Sequence, residues 1–399
     1  METPKPIPKA RVLLLDGRTI SCLPTIKALH LAGHEVSVAE SDHLCPGFFS
    51  RFTKRRIKLR DLKKDPDGFL ADLVGHLATK NYDILIPILD VTATLVCQHK
   101  GFLEQYVRIP LPDYPVFMRA RDKSQTMKIA HQNGLPCPKT YFPEDLKIEK
   151  LARAVDYPVL IKPNIGVGAR GLTKVCNSSE LIGLYPKVVA RYGPCSIQEF
   201  IDQTDLQYKA QIFIDRDKKV KGCVVYSKIR HYPLGGGVST LNCTVARPDI
   251  AEIGIKLLQA MEWSSYGDID LIADPRDGLV KIMEVNPRIT GSIKICFESG
   301  VDFANMLVAY ALGYEVAAVN KYRTGVYLRN LGMDLLWFLK SKQRFKANPS
   351  WFWFLGKNLK YEVFSFTDPG PVLGYLLANI RDLFVVETRR YKYQRGYLG

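Results

Sequence analysis

The sequence predicts an α/β protein that opens with a parallel sheet, and three observations carry that expectation. First, Arg11-Val-Leu-Leu-Leu-Asp16 reads as an apolar strand, a helical pattern follows to about Ala32, and Val36-Ser-Val-Ala39 reads as a second strand. Second, a helical pattern over Asp67–Lys80 leads into another buried strand, Ile84-Leu-Ile-Pro-Ile88. Third, alternating runs around Asp270 and Glu284 flank the turn Asp274-Pro-Arg-Asp-Gly278, which predicts a β-hairpin. Ligands of parallel α/β sheets sit at the carboxyl ends of the strands, so Asp16–Thr19 and Asp90–Thr92 are expected to face one cleft. No GxGxxG follows the first strand, which disfavours dinucleotide binding.

A chain of 399 residues is too long for one core and implies two to four lobes. The net charge of +16 points to an anionic ligand, nucleic acid or an acidic membrane surface. The nine cysteines form no CxxC pair, so a zinc site and a disulfide framework are both disfavoured, and reduced, mostly buried thiols are expected. Met1–Arg11 lacks the apolar stretch of a signal peptide, and no run approaches the roughly 20 apolar residues that cross a bilayer. The expected location is the cytoplasm, or the periphery of the inner membrane face.

The hairpin carries the most chemistry. Antiparallel pairing can set Asp270 beside Glu284, while Glu284 and Asn286 are two apart and share a face. Two carboxylates and an amide oxygen make a hard site suited to Mg²⁺ (or Mn²⁺), one or two ions, held together with a nucleotide's phosphates. Arg288 is next on that face and could grip a phosphate or carboxylate in a fork. A solvent-facing acidic hairpin is the competing reading of the spacing.

Between the N-terminal region and the hairpin, a Pro-rich stretch at Pro110–Pro115 marks a boundary. A helix is expected from Arg121-Asp-Lys123 to Asn133-Gly-Leu-Pro136. Tyr157-Pro-Val-Leu-Ile-Lys162 reads as a strand, and Leu172–Val175 as another. Between them, the loop Asn164-Ile-Gly-Val-Gly-Ala-Arg-Gly171 offers flexible backbone N–H groups to phosphates, although a glycine-rich hairpin turn fits as well. Arg51–Lys64 holds eight basic residues against one acid, Asp61, and reads as a solvated face. From residue 320 on there are fourteen Lys/Arg against five Asp/Glu, and three of the four tryptophans (337, 351, 353). Such a segment either lies in an anionic membrane interface or packs on the body with its basic face in water.

In order, Lys123, Lys162, the glycine loop, Glu199 with Ile201, Asp205, Arg230 and Asp270…Glu284-x-Asn286-x-Arg288 resemble the ATP-grasp superfamily across about residues 10–315. By motif the sequence is similar to the carbamoyl-phosphate synthase large subunit, biotin carboxylase and D-amino-acid ligases. The Glu-Val-Asn-Pro-Arg string is the most specific part and the glycine loop the least. The resemblance implies a parallel α/β domain (1–113), a lid lobe (114–195) and a large lobe with the metal site (196–318), and the composition beyond it marks a basic, aromatic, partly helical extension (319–399). It implies that Lys123 and Lys162 contact ATP phosphates under a lid made by Gly166, Gly168 and Gly171. Gln198, Glu199 and Ile201 would line the adenine hinge, largely through backbone groups, and Asp205 would hold the ribose. Asp270, Glu284 and Asn286 would ligate the metal, and Arg288 would steady the transferring phosphoryl group or the bound acid. The first metal ligand in such relatives is often Gln or Glu. Asp270 stands there in this chain, fourteen residues before Glu284 as in the synthase pattern, with Asp268 a rival on the same face.

The implied reaction is ATP-dependent joining of a small carboxylic acid to an amine through an acyl phosphate, with release of ADP. Arg230 is the candidate for holding the acid, and Gly235–Gly237 offer N–H groups to an oxyanion. A homodimer is among the expected assemblies. The alternatives are a bicarbonate-activating, carbamoyl-phosphate-synthase-like enzyme and a non-enzymatic nucleotide- or nucleic-acid-binding protein. The absence of a recognisable nucleic-acid-binding motif disfavours nucleic acid.

Overall fold

The computed structural model describes residues 7–384 apart from 145–146, 167, 169, 203–205 and 235–236. The N-terminal sheet is formed by β1 (Arg11–Leu15), β2 (Glu35–Glu40), β3 (Thr53–Lys58) and β4 (Ile84–Ile86), all parallel, in the order β3-β2-β1-β4. Val12 and Leu14 pack into one core and Leu13 and Leu15 into another. Burial on both faces explains why β1 reads as an unbroken apolar run. β3 lies within the basic cluster, where sequence reasoning placed no strand. It is an edge strand whose Lys54, Arg55 and Arg56 are exposed while Ile57 is buried. Charged side chains of this kind protect a sheet edge from stray pairing.

The lid lobe is a four-stranded antiparallel sheet of β5 (Thr140–Tyr141), β6 (Val159–Pro163), β7 (Thr173–Val175) and β8 (Cys195–Glu199), ordered β5-β8-β6-β7. Helices Ile148–Ala154 and Ser178–Tyr192 belong to this lobe, and a separate small core that includes Leu151, Ile161 and Leu181 holds it together. The large lobe is a seven-stranded sheet. Its strands are β9 (Gln207–Ile214), β10 (Val220–Tyr232), β11 (Val238–Thr244), β12 (Ser265–Ala273), β13 (Val280–Asn286), β14 (Tyr327–Arg329) and β15 (Leu359–Tyr361), in the order β13-β12-β9-β10-β11-β14-β15. Its apolar residues merge with those of the N-terminal sheet: Leu13 shares a core with Ile212, and Leu14 shares one with Phe213 and Phe303.

β14 and β15 fall inside the segment expected to be a separate extension, so the large sheet runs on through it. Its aromatic residues also have inward work. Trp337 stacks on the Arg230 guanidinium, and Trp351 and Phe354 on that of Arg329. The helix Gly370–Phe384 packs on the turn Pro46–Phe49 of the N-terminal domain, and Arg381 pairs with Asp42 there at 2.6 Å. Among the described residues no single helix is long and apolar enough to cross a membrane.

Candidate active site

β12 and β13 form the expected hairpin, with Asp270 opposite Glu284 and Asp268 opposite Asn286. The amide nitrogen of Asn286 donates to Asp270 Oδ2 at 2.9 Å. On its other side β12 pairs with β9, which places Lys209 opposite Asp270, and Lys228 reaches over from β10. Their ammonium groups lie 2.9 and 2.7 Å from the Asp270 carboxylate. Burial pushes the Asp270 carboxyl up, but these two charges override it and hold it well below its ordinary value. Asp268 is fully buried, with Lys209 Nζ at 2.6 Å, and it does not line the cleft, whereas Asp270 does.

The cleft has a volume of about 390 Å³. Asp270, Glu284, Asn286 and Arg288 line one side, and Lys123, Lys162, Gly166 and Gly168 another. Lys123 begins the helix Lys123–Gln132, whose N-terminus is capped by the Asp122 carboxylate. Its Nζ lies 3.5 Å from Glu284 and donates to the carbonyl of Gly166 at 3.1 Å. Lys162, on β6, is buried and donates to Gln198 Oε1 and to the Met283 carbonyl. Burial pushes its ammonium down to about 8, against the pull of Glu284. The loop between β6 and β7 turns at Gly171, whose φ is +74°. A Cβ there would come within 2.8 Å of Pro163 and Tyr192, so this glycine is required by space as well as by backbone.

Arg288 donates through Nε to Asp90 at the end of the N-terminal sheet, and Asp16 receives the backbone N–H groups of Ile88 and Leu89. The two N-terminal loops therefore interlock, and Asp90 reaches the hairpin side of the cleft. Arg121, which sequence reasoning did not single out, also donates to the Gly166 carbonyl.

Other expected residues lie elsewhere. Gln198 is buried behind Lys162, Ile201 is buried, and the Glu199 side chain is spent on Arg276 and Lys281, leaving only its backbone for any hinge contact. Asp205, Gly235 and Gly236 lie outside the described residues. Arg230 is a correction. It is buried and forks onto Asp334 at 2.9 and 3.0 Å, with its third contact on the Pro349 carbonyl, and it does not line the cleft. Asp334 lies in the C-terminal segment and also binds Arg329, so this guanidinium is a buried structural cation with no reach to a substrate acid.

Lys209 and Lys228 were missed as site residues. A usable signal was present, because Lys209 alternates with buried Tyr208 and Ala210 on a strand that must pair with a neighbour. Asn330 and Glu362 also line the cleft, and no motif pointed to them.

Two lobes closing a lysine-lined cleft over an Asp–Glu–Asn hairpin define a nucleotide-binding fold of the ATP-grasp class. Residues 120–292 match the ATP-grasp domain. It is 25% identical to a D-aspartate ligase of Enterococcus faecium over 276 residues, 62% of this chain and 64% of that protein. It is 24% identical to a carbamoyl phosphate synthase large chain of Pyrococcus furiosus over 66% of this chain, and there it spans only 25% of the relative's length. Among solved structures, biotin carboxylase of Campylobacter jejuni superposes with a TM-score of 0.67 at 15% identity, covering 80% of this chain and 74% of that one.

Proposed function

We propose that the protein is an ATP- and Mg²⁺-dependent carboxylate–amine ligase, forming an amide through an acyl phosphate with release of ADP and phosphate. One observation carries this reading: Asp270 and Glu284 lie side by side across β12–β13, with Asn286 beside them, in the same cleft as Lys123, Lys162 and Arg288. The similarity to a D-aspartate ligase supports the ligase class.

The donor set fits a divalent cation. It is all oxygen and includes a carboxylate held ionised by its neighbours and an Asn286 whose amide nitrogen is already turned to Asp270, leaving the oxygen for a ligand. Asp270, Glu284 and Asn286 would hold Mg²⁺, which would supply charge neutralisation to the phosphates. Asp270, rather than Asp268, takes the first place because only Asp270 lines the cleft. Lys123 and Lys162 contribute positive charge to the phosphates from the lid side. Gly166 and Gly168 cover them with backbone, and Arg288, braced by Asp90, faces the reacting end. Phosphoryl transfer asks for alignment and charge neutralisation more than for covalent help, which is what this arrangement provides.

The test is ADP release with panels of carboxylic acids and amines. A ligase requires one of each, a bicarbonate-activating enzyme responds to bicarbonate with ammonia, and a binding protein stays silent. Silence across all panels overturns the proposal.

A peripheral contact with an anionic membrane at the inner face is a second part of the proposal. Phe345, Leu355 and Phe366 are 72%, 88% and 89% exposed, and Leu373, Leu376, Leu377 and Ile380 form an exposed stripe on the helix Gly370–Phe384. Lys340, Lys342, Arg344 and Lys346 flank the first of these groups, giving the paired apolar and basic character of an interfacial segment. Flotation with anionic vesicles tests it. Equal recovery with neutral and anionic vesicles removes the idea. Self-association as a homodimer completes the proposal, and sedimentation checks it.

A further inference from the structure

The cleft has a wall that lies beyond the ATP-grasp match. β14 and β15 pair in parallel with Arg329 opposite Tyr361, so the next residues, Asn330 and Glu362, emerge side by side at the sheet end. Asn330 Nδ2 donates to Glu362 Oε2 at 2.7 Å, and the Glu362 N–H donates to the Arg329 carbonyl. Asn330 also caps the helix Leu331–Lys340 through its Oδ1, so its orientation is set by the backbone it caps.

Three carboxylates line this cleft: Asp270, Glu284 and Glu362. The first two face lysines at 3.5 Å or closer. Glu362 is 8% exposed and, among the described residues, forms no ion pair. The nearby Lys294 is spent on the carbonyls of Tyr361 and Phe364. A buried carboxylate without a counter-charge is costly, and burial accordingly pushes Glu362 up to about 7. On the neighbouring strand β11, Asn242 is buried, lines the same cleft and leaves its Nδ2 donor without a partner among the described residues.

A cleft whose other titratable lining groups are lysines, arginines and lysine-paired acids thus carries one acid without an ion pair among the described residues, held in place by an asparagine, with an unpartnered amide donor elsewhere on the same lining. We infer that Glu362 and Asn330, with Asn242, form the subsite for the amine co-substrate, a primary amine that enters as an ammonium ion and carries an oxygen acceptor. The ammonium meets the Glu362 carboxylate and the oxygen meets the Asn242 amide. This rests on the ligase reading for the word co-substrate, but the binding site itself does not.

Asn242 lies inside the matched domain, whereas Asn330 and Glu362 lie after residue 292, so the acid that meets the ammonium is contributed by the part of the chain outside that domain. The choice of amine can then differ between relatives while the nucleotide site stays the same.

Two readouts separate this inference from the ligase reading. Hydroxamate formation from ATP, a panel of carboxylic acids and hydroxylamine reports acyl phosphate, because a neutral nucleophile needs no ammonium subsite. Calorimetric titration with ammonium chloride, methylamine and L- and D-amino acids reports amine binding directly. We expect at least one of the amines to bind the wild type, and Glu362→Gln to weaken that binding roughly tenfold or more, as loss of a charged hydrogen bond does. Hydroxamate yield, read on the same proteins, reports acyl-phosphate formation separately from amine binding. Glutamine can still accept from Asn330, and Glu362→Asp, which keeps the charge, should retain part of the affinity. If no amine binds the wild type more tightly than Glu362→Gln, the subsite is wrong, whatever the hydroxamate result. If no acid yields hydroxamate while an amine still distinguishes the two proteins, the ligase reading fails and the subsite stands.

Discussion

Arg288 and Asp90 meet at 2.6 Å, and with that contact the loop after the β12–β13 hairpin is fastened to the end of the N-terminal parallel sheet. Both side chains are largely buried, and burial, which alone would lower the guanidinium's proton affinity, is outweighed by Asp90. Replacing Asp90 by Ala strands a buried cation. The expected loss is about 3 kcal/mol of stability in urea unfolding, together with a marked fall in kcat.

Glu284 is half-buried, the more exposed member of the hairpin pair, and its one ion pair among the described residues is with Lys123. Glu284→Gln is therefore expected to leave the melting temperature nearly unchanged and to reduce ATP turnover by about 100-fold or more, as removal of a charge-stabilising group does. A metal titration followed by turnover should show a weaker apparent affinity for Mg²⁺. Intact turnover would remove the metal site from the hairpin.

Lys162 is expected to make nucleotide binding pH-dependent. Its folded value, about 8, lies below its ordinary value near 10.5, so between these two the unfolded chain binds the extra proton. Stability should accordingly rise with pH across that window. Nucleotide affinity should move the other way, falling as the ammonium is lost above about pH 8. Lys162→Met should flatten both profiles, read by thermal unfolding and by nucleotide titration at a series of pH values.

Arg230 and Asp334 are predicted to matter for folding and not for substrate. Asp334 serves Arg230, Arg329 and the Thr240 hydroxyl at once. Asp334→Ala should cost about 3–5 kcal/mol, the range for breaking a buried pair. Arg230→Lys, in protein that remains folded, should leave the KM for the acid unchanged. A large rise in that KM with unchanged stability would restore the substrate role.

Much of the fold was legible because its signals are local. The apolar run of β1, the turn between Asp274 and Gly278, the Asp122 cap and the Gly–Pro stop after Asn133 act over a few residues, and each element appears where those signals put it. β3 escaped because its basic residues hide the strand pattern, and an edge strand needs them on its exposed side. The extension left two readings open for a related reason. Aromatic and basic residues look like an interfacial tail until Trp337 and Trp351 are seen stacked on Arg230 and Arg329 in the interior.

What the sequence determined by itself was the hairpin with Asp270, Glu284 and Asn286 gathered on it, because spacing of two along a strand sets which side chains share a face. The lysines that flank Asp270, the lock of Arg230 onto Asp334 and the pairing of Asn330 with Glu362 join residues 32 to 104 positions apart, on strands whose order no local pattern states. Only the tertiary structure decided these, because sheet order and register, not sequence proximity, choose which charges meet.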